Sequence, residues 1–377
     1  MKIFITGGAG FIGSNLTNKL CALGHQVTVF DILSPQIHGK NPLVTSPLFQ
    51  SLDQRVSFVL GDVRDRSSLE KLILEQDAII HLAAETGTGQ SMYEIERYMD
   101  INTNGTAIIL DILTNNKNNV SKFVVASSRA IYGEGKYLND NMEEVYPSTR
   151  LDSDLRVGRF ELYDNKSGNP LHIAATDEES KIHPSSIYGI TKQVQEQMVM
   201  TVCPNIGISP IALRYQNVYG PGQSLSNPYT GILSIFSTRI LNNNPVEIYE
   251  DGIESRDFVF IDDVVDATIK AVLSDKSQAG IYNVGTGAAV PVLTVLHEMM
   301  KHYNRNVEYS ISGRYRLGDI RHNFACVKKI SRELDFNAKI DFSSGVEKFC
   351  SWVLEQPLQE DTYERSAVEM SSRGLLK

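Results

Sequence analysis

The chain opens with a short apolar strand pattern that runs directly into a glycine-rich turn. Lys2–Ile5 is followed by glycines spaced three residues apart, at Gly7, Gly10 and Gly13, and a helical pattern begins there. Missing side chains let the turn tighten and let the backbone approach a pyrophosphate, which then lies on amide groups at the helix N-terminus. This order of strand, turn and helix predicts the first unit of a parallel α/β sheet with a dinucleotide at its edge.

Strand and helix patterns continue to alternate along the first third of the chain. Short apolar or β-branched runs occur at Lys2–Ile5, Gln26–Phe30, Val56–Leu60, Ala78–Leu82 and Lys122–Ala126. This alternation predicts an α/β fold with a Rossmann-type doubly wound parallel sheet and helices on both faces. Beyond Arg214 the pattern becomes mixed, which predicts a smaller mixed α/β substrate-binding lobe.

We therefore divide the chain into three parts. Residues 1–212 form the expected nucleotide-binding Rossmann domain, residues 213–354 are mainly the substrate-binding lobe with segments that return to the sheet, and residues 355–377 are a tail. Within the first part, about 134–184 is a polar insertion over the carboxyl edge of the sheet. Such an insertion is either a functional lid or a surface elaboration. The tail is either a surface helix or frayed.

Composition excludes several classes of partner. No apolar run approaches the roughly 18 residues that a membrane span needs, so we expect a soluble chain with no membrane partner. A net charge of -9 repels phosphate backbones, which argues against nucleic acid. The four cysteines are Cys21, Cys203, Cys326 and Cys350. Their spacing matches neither a disulfide framework nor a zinc site, so we expect no metal and a cytoplasmic location.

An aspartate at the end of the second strand pattern identifies the dinucleotide. Asp31 follows the last glycine of the turn by 18 residues (31 − 13), where a carboxylate can bind the adenosine ribose hydroxyls. Ile32 and Leu33 follow it instead of arginine, so a 2′-phosphate would lack a cationic partner. NAD is therefore favoured over NADP. The alternative is a glycine turn followed by an ordinary surface aspartate.

Tyr188 and Lys192 form the candidate catalytic pair. They begin a helical pattern, and a spacing of four residues places both side chains on one face. A free phenol has a pKa near 10 and is a poor base at neutral pH. An adjacent ammonium and the positive charge of an oxidised nicotinamide would lower that pKa and let the tyrosine accept a proton. The alternative is a half-buried tyrosine beside a solvated lysine.

Hydroxyl groups close the fifth strand pattern, at Ser127 and Ser128. The carboxyl end of that strand meets the cofactor crevice in a doubly wound sheet. With the glycine turn and the Tyr-Lys pair, these residues make the chain from Met1 to about Trp352 resemble the extended short-chain dehydrogenase/reductase family. The resemblance is closest to the nucleotide-sugar epimerases of that family.

The resemblance implies a role for each matching residue. Ser128, Tyr188 and Lys192 correspond to the catalytic triad, in which the lysine also holds the nicotinamide ribose. NAD is expected to contact Gly7, Gly10, Phe11, Ile12, Gly13, Asp31, Asp62, Val63, Leu82, Ala83, Ala84, Asn102, Ser127, Tyr188 and Lys192. A nucleotide-diphosphate sugar is expected to contact Thr86, Gln90, Ser128, Arg129, Asn217, Arg256, Arg316 and Asp319. Each of the two arginines expected at the diphosphate, at positions 256 and 316, could instead pair with a local aspartate.

The implied reaction is epimerisation through a keto sugar. A ring C–H beside a hydroxyl is not acidic, so its inversion requires transient oxidation. The related dehydratases carry an Asp-Glu pair directly after the catalytic serine or threonine, where this chain has Arg129 and Ala130, so dehydration is disfavoured. Two further functions fit the cofactor motif, namely an NADPH-dependent reductase and a protein that binds NAD as a sensor or scaffold.

Two loops indicate which group of nucleotide-sugar epimerases the chain resembles most. The stretches 84–95 and 224–231 are similar to those of bacterial dTDP-L-rhamnose 4-epimerases, as are the long insertion and residues 318–322. Gln216 departs from many relatives, which carry an aromatic or small residue there. UDP-hexose 4-epimerisation is the second possibility. The family also implies a homodimer.

Overall fold

The computed structural model describes residues 1–225, 227, 231–274 and 279–377. At its centre is a parallel sheet of seven strands. These are β1 (Lys2–Thr6), β2 (Gln26–Asp31), β3 (Ser57–Leu60), β4 (Ala78–His81), β5 (Lys122–Ser128), β6 (Ser209–Tyr215) and β7 (Gly280–Val284). They lie in the order β7-β6-β5-β4-β1-β2-β3. The predicted doubly wound sheet is confirmed, and its five predicted strands are all present.

Helices cover both faces of this sheet. Successive residues of β1 point to opposite sides, so Ile3 and Ile5 pack in one core cluster and Phe4 in another. The longer helices are α1 (Phe11–Ala22), α2 (Arg66–Ile73), α3 (Gly105–Asn115), α4 (Ile187–Asn205), α5 (Ile232–Leu241), α6 (Ile261–Leu273), α7 (Val292–Tyr303), α8 (Lys328–Leu334), α9 (Phe342–Leu354) and α10 (Tyr363–Ser372). Shorter helical segments are Pro35–His38, Pro42–Thr45, Pro47–Gln50, Thr88–Ser91, Ile95–Tyr98, Met99–Asn104, Arg129–Tyr132 and Asp152–Leu155.

The second half also contains short strands that pair outside the central sheet. Parallel pairs join Asn217–Tyr219 to Phe258–Phe260 and Val246–Ile248 to Tyr309–Ile311. A three-stranded sheet consists of Val290–Pro291, Ser255–Arg256 and His322–Asn323. In the stretch 224–231, residues 226 and 228–230 lie outside the described residues. The division of the chain into domains stays a prediction.

The polar insertion has a structure of its own. Its strands Tyr137–Leu138, Glu144–Val145 and His172–Ile173 form a small antiparallel sheet. Arg150 is buried and donates from both terminal nitrogens to the carboxylate of Glu250, each at 2.8 Å. This ion pair fastens the insertion to the second half of the chain.

The tail folds back on the same half. Its helix α10 buries Tyr363 and Met370, and beyond the helix the backbone of Lys377 exchanges two hydrogen bonds with Tyr315, each 3.0 Å. Among the described residues, no helix is both long and apolar enough to cross a membrane.

Candidate active site

A crevice opens at the carboxyl ends of the central strands, where the strand order reverses between β1 and β4. Its volume is about 600 Å³. Ser128, Tyr188 and Lys192 line it, so the expected catalytic groups share one space with the glycine turn. The expected cofactor residues that also line it are Gly7, Gly10, Phe11, Ile12, Gly13, Asp31, Asp62, Val63, Leu82, Ala83, Ala84 and Ser127.

The glycine turn leaves no room for side chains. Gly7 has φ of +69°, and a Cβ there would lie 2.6 Å from the amide nitrogen of Ala83. A Cβ on Gly13 would lie 2.2 Å from the carbonyl oxygen of Gly7. The turn therefore packs backbone against backbone, and α1 begins beside it with its N-terminal amides at the crevice. This geometry fits the pyrophosphate of a dinucleotide.

Asp31 is held rigidly at the end of β2. Its carboxylate accepts a hydrogen bond from the backbone N–H of Ala9 at 3.0 Å and another from Leu33 at 2.8 Å. The residue is buried yet forms part of the crevice wall. A carboxylate fixed in this way, one strand from the glycine turn, fits the adenosine ribose of NAD.

Helix α4 presents Tyr188 and Lys192 to the crevice. The hydroxyl of Ser186 caps the helix by accepting from the N–H of Gly189 at 3.1 Å. Lys192 Nζ lies 6.0 Å from the centre of the Tyr188 ring and donates to the carbonyl of Ala126 at 2.9 Å. Both side chains therefore lie on one face of α4, above the end of β5.

Ser128 completes the constellation from β5. It is the last residue of that strand, its hydroxyl accepts from the N–H of Ala130 at 3.2 Å, and its side chain is close enough to Tyr188 to lower the pKa of that phenol. The neighbouring Ser127 donates instead to the carboxylate of Glu196 at 2.6 Å. Glu196 is also paired with buried Arg214, so this second hydroxyl is held by a buried ion pair.

The protein groups around the pair shift both pKa values. Burial raises the pKa of Tyr188, while the hydrogen bond with Ser128 and the charge of Arg129 act in the opposite direction. Burial also lowers the pKa of Lys192, to about 7. The loss of hydration around the phenolate raises the pKa of Tyr188 more than Ser128 and Arg129 lower it. The protein groups by themselves therefore do not lower the pKa of this phenol.

Asn102 lies behind the crevice and does not line it. It is fully buried, and its amide group accepts from the N–H of Glu85 at 2.7 Å and donates to the carbonyl of Glu85 at 3.0 Å. It also donates to the hydroxyl of Thr191 at 3.0 Å. Asn102 thus ties the loop after β4 to the helix that carries Tyr188.

Arg129 points inward. Its Nε donates to the side-chain oxygen of Asn217 at 2.6 Å, which joins two of the expected substrate residues. Burial, followed by the charge of Arg256, lowers the pKa of Arg129 to about 9. Two cations held this close favour a bound anion, because a diphosphate would offset their mutual repulsion.

The expected diphosphate arginines do not form simple local ion pairs. Arg256 donates to the carbonyls of Ser255, Ile320 and Arg321 at 2.7 to 2.9 Å. The side chain of Asp257 is instead engaged by backbone N–H groups of Thr286, Gly287 and Ala325. Asp257 is therefore not the partner of the neighbouring arginine.

Arg316 stacks on an aromatic ring. Its guanidinium carbon lies 4.9 Å from the centre of the Tyr249 ring, and its Nε has no hydrogen-bond partner among the described residues. Arg316 and Asp319 line a small cavity of about 30 Å³, together with Thr88 of the loop after β4 and Met370 of the tail.

The two expected residues of the loop after β4 are placed differently. Thr86 lines the crevice. Gln90 is buried away from it, with its amide bonded to Gln36 and Glu94. Gln223 lines the crevice although nothing in the sequence pattern predicts it, because its position depends on a turn without regular structure.

Known proteins with similar sequences support this geometry. Residues 3–152 and 160–285 match the model of the NAD dependent epimerase/dehydratase family. The dTDP-L-rhamnose 4-epimerase of Burkholderia thailandensis is 33% identical over 357 residues. The matched region covers 94% of this chain and 95% of that protein.

Solved structures are similar over the same length. The UDP-glucose 4-epimerase of Thermotoga maritima, in complex with UDP-glucose, is 27% identical with a TM-score of 0.74, over 94% of this chain and 99% of that one. The UDP-glucose 4-epimerase of Thermus thermophilus, in complex with NAD, is 25% identical with a TM-score of 0.72, over 95% and 100%.

These matches confirm the resemblance that the sequence motifs indicated, and with it NAD as the cofactor. The glycine turn, the fixed carboxylate of Asp31 and the Ser128–Tyr188–Lys192 group occupy one crevice of a fold shared along nearly the whole chain. The chain therefore belongs to the NAD dependent epimerase/dehydratase family and is an NAD-dependent enzyme of the nucleotide-sugar epimerase type.

Proposed function

We propose that this enzyme interconverts dTDP-L-rhamnose and dTDP-6-deoxy-L-talose by inverting the sugar at C4 through a transient 4-keto intermediate. The observation that carries the proposal is the similarity to a dTDP-L-rhamnose 4-epimerase along 94% of the chain, which extends well beyond the nucleotide-binding part. Bound NAD supplies the oxidising and reducing equivalents, and it is regenerated within each cycle.

The protein's own residues handle the proton and the position of the sugar. Tyr188 takes the proton from the reacting hydroxyl, and Ser128, whose side chain lies beside that of Tyr188, hydrogen-bonds the same hydroxyl and orients it. Burial works against the phenolate in the chain alone. The phenol would therefore become a base only once the positive nicotinamide lies beside it, which couples proton removal to the presence of oxidised cofactor.

The charged groups around Arg129 would hold the diphosphate. Asn217 fixes the Arg129 guanidinium through a 2.6 Å hydrogen bond, and Arg256 lies close enough to perturb it. Arg129 directly follows Ser128, at a position where the related dehydratases carry a carboxylate. This supports epimerisation over elimination, because the acid and base needed to expel water are missing there.

Product analysis tests the proposal directly. We would incubate the purified enzyme with a panel of nucleotide sugars that includes dTDP-L-rhamnose, and follow the products by NMR. We expect the enzyme to convert dTDP-L-rhamnose to a mixture of the two C4 epimers, without any addition of NAD. Turnover of other nucleotide sugars alone would overturn this substrate.

UDP-hexose 4-epimerisation is the second candidate function. It is supported by the two solved UDP-glucose 4-epimerases, whose folds align with 94% and 95% of this chain. The same NMR panel separates the two, since UDP-glucose and UDP-galactose would then be the sugars that interconvert.

We also propose that the enzyme is a cytoplasmic homodimer. All four cysteines are free, which suits a reducing compartment. The dimer rests on the family resemblance, and light scattering of the purified chain would test it by giving twice the monomer mass.

A further inference from the structure

Gln216 is a buried side chain without a partner on the wall of the crevice. It is only 5% exposed, and neither its amide nitrogen nor its amide oxygen has a hydrogen-bond partner among the described residues. A buried carboxamide left unpaired is unfavourable for folding, and native proteins retain few of them. Its retention at a ligand crevice points to a ligand that completes its hydrogen bonds.

The fold places this residue at the β6 end of the crevice. Gln216 directly follows Tyr215, which pairs in register with Ser128 on the neighbouring strand. The Gln216 N–H donates to the carbonyl of Val284 at 2.9 Å. Gly285 packs behind it, and a Cβ on Gly285 would lie 2.7 Å from Gln216 Cγ. The side chain is therefore packed closely against the residue that follows β7.

The opposite end of the crevice holds the dinucleotide features. The glycine turn follows β1 and Asp31 ends β2, whereas Gln216 follows β6, three strands from β1 across β4 and β5. Ser128 and Tyr188 lie between these ends. A group on the β6 side of Ser128 is therefore remote from the adenosine half of the cofactor and close to the expected catalytic groups.

We propose that Gln216 is a sugar-recognition residue, whose carboxamide exchanges hydrogen bonds with a ring hydroxyl next to the reacting position. The inference rests on the proposed epimerase function and deepens it. An amide offers both a donor and an acceptor, and one hydroxyl can satisfy both. A sugar that lacks this hydroxyl leaves the amide unpaired in the closed complex, so Gln216 selects among sugars.

Gln216→Met tests this proposal, because methionine keeps the length of the side chain and removes its polar atoms. The assay compares kcat/KM for the nucleotide sugar identified by the NMR panel with kcat/KM for its 2-deoxy and 3-deoxy analogues. The variant should lose about tenfold to a hundredfold on the intact sugar and little on the analogue that lacks the recognised hydroxyl. The melting temperature should stay equal or rise, since an unpaired buried amide is removed.

A matched control is Gln76→Met. Gln76 is also buried, but its amide donates to the carbonyl of Leu72 at 2.7 Å, and the residue does not line the crevice. This variant should lower the melting temperature and leave the ratios among the sugars unchanged. It separates the loss of any buried amide from the loss of recognition.

Three results would overturn the proposal. The first is an equal fractional loss on the intact sugar and both analogues, and the second is no loss at all. The third is loss of heat-releasable NAD from Gln216→Met, which would assign the amide to the cofactor. If no sugar in the panel is turned over, the proposed function fails. Calorimetric affinities of the same sugars for wild type and variant then decide the role of Gln216 separately.

Discussion

The cofactor half and the proposed substrate half of the site are built in different ways. On the cofactor side, the key residues sit at the ends of regular strands or on the first turn of a helix, as Gly13 and Asp31 do. On the proposed substrate side, Arg129, Asn217 and Arg256 do not line the crevice and come from short segments joined by contacts between distant parts of the chain. The first half can be specified by local pattern, while the second requires the whole fold to be in place.

The largest expected effect lies where the two halves meet. Tyr188→Phe removes the proton acceptor without changing the ring, so turnover should fall by about 10² to 10⁴. NAD should stay bound, because the glycine turn and Asp31 are untouched. The measurement is initial rate together with the NAD released by heat per chain. Normal turnover would exclude Tyr188 from the chemistry.

Arg150→Met should cause the largest loss of stability on the substrate side. It leaves the buried carboxylates of Glu250 and Glu134 without one cationic partner, at a cost of about 3–5 kcal/mol in the free energy of unfolding. Denaturant unfolding measures this. Arg156→Met is the control in the same insertion, because its pair with Asp152 is exposed and should contribute little to stability. Equal losses would show that the insertion is not anchored through Arg150.

Gly13→Ala should act on the cofactor side alone. The new Cβ would lie 2.2 Å from the carbonyl of Gly7, so the turn must shift, at a cost of about 1–3 kcal/mol. Bound NAD should fall accordingly. Gly207→Ala is the control for general destabilisation, because its φ of +75° is strained but the Cβ meets nothing within 4 Å. Retention of NAD by Gly13→Ala would mean that the turn adapts.

Arg256→Ala has the smallest expected effect and gives the most direct test of the difference between the cofactor half and the substrate half. The loss of one guanidinium near the diphosphate should raise KM for the nucleotide sugar about tenfold, with little change in kcat. The NAD content should be normal. A fall in kcat at constant KM would place Arg256 at the reacting sugar instead.

The difference between the halves also explains what the sequence could predict. Strand and helix periodicity, the glycine spacing and the Tyr-Lys spacing are local, and they located the sheet, the turn and the group around Tyr188. The bond between Arg129 and Asn217 joins residues 88 apart in sequence, and the pair of Arg150 with Glu250 joins residues 100 apart. No periodicity encodes such contacts.

The pKa of Tyr188 illustrates the same limit at a single group. The four-residue spacing correctly brought Lys192 to the same face, but spacing gives no information about burial. Burial depends on β5, α4 and the loop after β4 closing around the phenol. Among the protein groups alone, burial raises the pKa of Tyr188.

The strand order has a consequence for the time course of folding. The strands β3, β2, β1, β4 and β5 all lie within the first 128 residues, so they can pair while the ribosome is still synthesising the remainder. The outer edge of β5 then stays unpaired until β6 is synthesised, and residues 129–208 must be synthesised first. Residues 123–128 of this temporary edge are buried in the finished fold, so a nascent chain that stalls in the insertion exposes a strand prone to aggregation.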